Sequence, residues 1–66
     1  MPTYEQRIST IRLAISAVLD ELTLLRDGDY SGPDPTDRQQ EAVDAGTRSL
    51  TEARRRLAPA THRLHG

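Results

Sequence analysis

Thr3-Tyr-Glu-Gln-Arg-Ile-Ser-Thr-Ile-Arg-Leu-Ala-Ile-Ser-Ala-Val-Leu-Asp-Glu-Leu-Thr-Leu-Leu-Arg-Asp27 is the stretch whose reading decides the fold. Within it Tyr4, Ile8, Ile11, Ile15, Val18, Leu22 and Leu25 recur in alternating steps of four and three. That spacing places all of them on one seam of an α-helix. Thr3 supplies an N-cap and Gln6, three residues on, completes a capping box. At the other end Gly28 follows Arg26 and Asp27, where a glycine can take the left-handed conformation that closes a helix. Helix 1 is therefore expected over about residues 4–27.

The next segment, Gly28 to Pro35, reads GDYSGPDP and concentrates the residues that supply positive φ, fixed φ and side-chain turn bonds. It is a loop of about residues 28–35. A second helix can start with Asp34 before Pro35 or, one step later, with Thr36 and Gln39 as a second capping box. It is expected over about residues 36–58, stopping before Pro59, with 59–66 as a C-terminal tail. Its seam is Gln39, Val43, Gly46, Leu50, Ala53 and Leu57, far poorer than the first.

The expected fold class is all-α: one domain over residues 1–66, a two-helix antiparallel hairpin. Helix 1 carries nine large aliphatic side chains and helix 2 carries Val43, Leu50 and Leu57. At about 1.5 to 3 kcal/mol per buried aliphatic, helix 2 leaves much of helix 1 unshielded. A chain of 66 residues buries only about 60% of its unfolded-state surface, and with no cysteine it has no disulfide to compensate. Both arguments lead to a homodimer, a four-helix bundle with the two copies of helix 1 in the middle. The residues expected to mediate self-association or partner binding are Ile8, Ile11, Ile15, Val18, Leu22 and Leu25 of the seam, with Leu13, Ala17 and Leu24 as a second strip roughly opposite.

Charge is unevenly spread. From Asp20 to Asp44 eight acids face Arg26 and Arg38, a local net of minus six; elsewhere seven arginines face Glu5 and Glu52, a net of plus five. A hairpin built on this pattern has an acidic turn and a basic open end, so antiparallel association sets unlike ends together.

The function expected is a small non-enzymatic protein–protein interaction module, an adaptor, assembly or regulatory partner. The competing class is a small nucleic-acid-binding regulator, with Arg48, Arg54, Arg55 and Arg56 as phosphate contacts. No aromatic residue lies among those arginines to stack on bases. Cysteine, lysine and tryptophan are absent and both histidines, His62 and His65, lie in the tail, so the usual nucleophile and base pairs are not assembled. No cofactor or metal is expected. Asp27, Asp29, Ser31 and Gly32 resemble the first, third, fifth and sixth positions of an EF-hand loop. Position twelve, however, is Arg38, and prolines occupy the seventh and ninth positions. The uncharged run Leu13–Leu19 is too short to span a bilayer, and its closure by Asp20 and Glu21 is unlike a signal peptide. A cytoplasmic location is the default expectation.

Overall fold

A computed structural model describes residues 1–61 of the chain; the tail histidines, Arg63 and Leu64 lie outside the described residues. Two helices and no strand are present among the described residues: α1, Tyr4–Arg26, and α2, Asp37–Thr61.

Both starts are capping boxes. Thr3 Oγ1 accepts from the Gln6 amide at 3.1 Å while Gln6 Oε1 accepts from the Thr3 amide at 2.8 Å. Thr36 and Gln39 repeat the arrangement at 3.1 and 2.9 Å, so of the two candidate starts for α2 the later one operates. Each box satisfies two amides that the first helical turn cannot. The end of α1 is a Schellman motif: the Gly28 amide donates to Leu25 O at 3.2 Å and the Asp29 amide to Leu24 O at 2.9 Å, with Gly28 at φ +87°.

The stop expected before Pro59 is not found, because α2 continues through the proline to Thr61. Pro59 is exposed, on the side of α2 away from α1, and its ring removes one intrahelical bond from the last turns. The last turn is also tied down: Thr61 Oγ1 donates to Ala58 O at 3.0 Å and accepts from Arg12 Nη1 at 2.7 Å.

The helices pack antiparallel. Contacts run from Arg26 with Asp44 near the turn, through Ser16 with Arg54, to Arg12 with Thr61 near the open end. The result is a rod of 51 × 21 × 16 Å. On α2 the inward row is Val43, Gly46, Leu50, Ala53 and Leu57, all half-buried. Gln39, expected to head that row, is exposed and serves the cap instead.

The seam of α1 is corrected more deeply. Ile8, Ile15 and Leu22 are half-buried toward α2, whereas Tyr4, Ile11, Val18 and Leu25 remain 84, 49, 47 and 45% exposed. The centre of the inward face is Leu19, at 8% exposure the one buried hydrophobic residue among those described. Arg12 and Ser16 flank it. Polar contacts accompany this orientation: Arg12 reaches Thr61, and Arg54 Nη1 donates to Ser16 Oγ at 3.2 Å. A narrow α2 row with small residues between its aliphatics leaves room for these side chains, and α1 is rotated to present them.

Candidate interaction surface

Rotation of α1 leaves a continuous row of large side chains uncovered. Tyr4, Ile11, Val18 and Leu25 are seven residues apart, so they stack along one line of the helix. At about 100° per residue this line lies roughly 100° around α1 from the direction of α2. A helix in a square or diamond four-helix bundle meets its two neighbours at about that angle. Ala14, Arg7 and Glu21 border the row and are exposed. The ion pairs among the described residues, Arg26–Asp44, Arg55–Glu52 and Arg56–Glu52, use neither Arg7 nor Glu21.

The two long edges of the hairpin differ in kind. The Arg54–Ser16 bond runs along one edge, near Ser9 and Asp20. On the other edge, beside the aliphatic row, α2 presents Gly46 and Ala53, with Ala42 and Ser49 one helical turn before each. This second edge therefore combines large side chains from one helix with small ones from the other. A Cβ added at Gly46 meets no atom within 4 Å, so nothing in the hairpin requires a glycine there. Leu13, 73% exposed, and Leu24, 42% exposed, lie on the flank of α1 opposite the row. Ala17, between the two apolar strips on the back of α1, is also exposed.

The arginines do not form one patch. Arg54, expected as a phosphate contact, is turned inward to Ser16 and is half-buried. Arg55 and Arg56 both engage Glu52, the latter at 2.9 Å, because all three lie within one turn on the outer face of α2. Arg48 is exposed two turns away from Arg55. A count of basic residues along the chain missed this partition, since Glu52 and Ser16 acquire their roles only from helical spacing and the fold.

At the turn, Leu25, Tyr30, Pro33, Pro35 and Val43 help line an open cleft of about 640 Å³. Arg26, Gln39, Gln40 and Asp44 also contribute to its walls, so the cleft is mixed in character, and in the adjoining loop Gly32 takes φ +100°. Among the described residues no group of three or more His, Cys, Asp or Glu side chains converges on a point that would hold a metal. No helix there is long and apolar enough to cross a membrane.

Compared with protein families, with curated proteins and with solved structures, the chain finds no match.

Proposed function

We propose that this chain is a non-enzymatic protein–protein interaction module that works as a helical homodimer, two hairpins joined through α1 into a four-helix bundle. The observation that carries the reading is the uncovered row Tyr4, Ile11, Val18 and Leu25. Half-covering an aliphatic side chain contributes about 1 kcal/mol, and a two-fold interface counts each row twice. Ile8, Ile15 and Leu22 support the surface from beneath by holding α1 on α2. Leu13 and Leu24, on the other flank, remain available after dimerisation for a different protein, which is the arrangement an adaptor or assembly factor needs.

The nucleic-acid reading has less to support it. With Arg54 facing Ser16 and two neighbours drawn to Glu52, Arg48 alone of the four arginines makes no ion pair or hydrogen bond among the described residues. A phosphate-tracking surface needs several free cations in line.

Light scattering over a concentration series at low and high salt tests the proposal. A mass of two chains that persists at high salt is the expected result, because apolar burial is not screened. A mass of one chain at every concentration sinks it.

A further inference from the structure

The hairpin has one edge on which large and small side chains lie side by side, and its charges break the symmetry between the two ways a second copy can lie there. Resting on the homodimer reading, we propose that the second copy docks antiparallel on this edge, with the two-fold axis beside Ala14.

The register follows from the spacing. An axis at Ala14 sets Arg7 level with the partner's Glu21, and Glu21 level with the partner's Arg7, so two ion pairs bracket Ile11 and Val18 at the centre of the apolar row. Parallel association instead sets Arg7 on Arg7 and Glu21 on Glu21. The same axis brings Ile11 against the partner's Val18 and Tyr4 near the partner's Leu25, to within about one residue rise of 1.5 Å.

The cross-helix pairs Ser16–Arg54 and Arg26–Asp44 tie levels on α1 to levels on α2. Carried through that register, the partner's Tyr4 falls level with Gly46, and the partner's Ile11 with Ala53. Tyr4 and Ile11 of one copy thus each fall level with a small residue of the other. This gives Gly46 a purpose that the isolated hairpin does not: its missing side chain is the space for the partner's tyrosine. A glycine in mid-helix without positive φ and without a crowded Cβ otherwise only weakens the helix.

The absence of native cysteine makes the test direct. Under oxidation Ala14→Cys is expected to form a covalent dimer, since the two thiols face each other at the axis. Arg7→Cys is expected not to, because its two copies are about 21 Å apart, well beyond disulfide reach. Arg7→Cys combined with Glu21→Cys is expected to cross-link. In parallel, Gly46→Leu is expected to stay helical by circular dichroism, since a Cβ there meets nothing within 4 Å and leucine favours a helix over glycine, while its dimer dissociation constant rises tenfold or more.

A covalent dimer from Arg7→Cys alone overturns the antiparallel arrangement. A two-chain protein that Ala14→Cys does not cross-link overturns the choice of edge, and an unchanged dissociation constant in Gly46→Leu overturns the seating of Tyr4. Wild-type protein with the mass of one chain overturns something different, the homodimer reading on which this docking rests.

Discussion

Arg12 is the side chain that most changes the picture at the scale of single residues. Its Nη1 is satisfied by Thr61, but its Nε is buried with no hydrogen-bond partner. A buried donor left unpaired costs about 1 to 3 kcal/mol, more than the one cross-helix bond returns. Arg12→Leu is therefore expected to raise the urea midpoint of unfolding, by the equivalent of about 1 kcal/mol; a lower midpoint would show that the guanidinium is a net stabiliser. Leu19 behaves oppositely. As the covered centre of a small core, Leu19→Ala is expected to cost about 2 kcal/mol or more by the same measurement. Neither role is legible along the chain, where Leu19 is one of nine large aliphatics of the first helix and Arg12 one of nine arginines.

At the scale of elements, local chemistry set the helix starts and the end of α1. Thr3 with Gln6, Thr36 with Gln39, and Gly28 after Asp27 are complete signals within a few residues, and each one forms. The end of α2 is different: the helix runs through Pro59 to Thr61, where Arg12 meets it from across the hairpin. Pro59→Ala returns an amide donor to the last turns without touching α1, and its expected effect is greater helicity and a gain of about 1 kcal/mol, less than the roughly 3 kcal/mol of a mid-helix proline because only the last turn benefits. Circular dichroism and urea melts on this variant check it. A loss of stability would mean that the proline's bend seats Thr61 against Arg12.

For the whole molecule, the division of α1 into a face for α2 and a face for another chain predicts that two substitutions three residues apart behave differently. Ile15→Asp places a carboxylate in the interhelical face and is expected to abolish helicity. Val18→Glu alters only the uncovered row; it is expected to leave a helical hairpin whose light-scattering mass falls to one chain. Leu24→Glu, on the opposite flank, is expected to change neither helicity nor mass. If Val18→Glu remains a two-chain species and Leu24→Glu becomes a monomer, the association surface is the other flank.

What the sequence by itself determined is the pair of helices, their caps, the turn between them and the excess of apolar surface on the first. These follow from interactions that span three or four residues, or from composition, and a linear reading contains them. Only the tertiary structure decided which part of that surface is spent inside the hairpin. Helical periodicity fixes which residues share a line but not how far the helix is rotated about its axis. That angle depends on how side chains distant in the sequence meet: Arg12 lies against Thr61 and Ser16 against Arg54. It turns Leu19 inward and leaves Tyr4, Ile11, Val18 and Leu25 half-exposed or more.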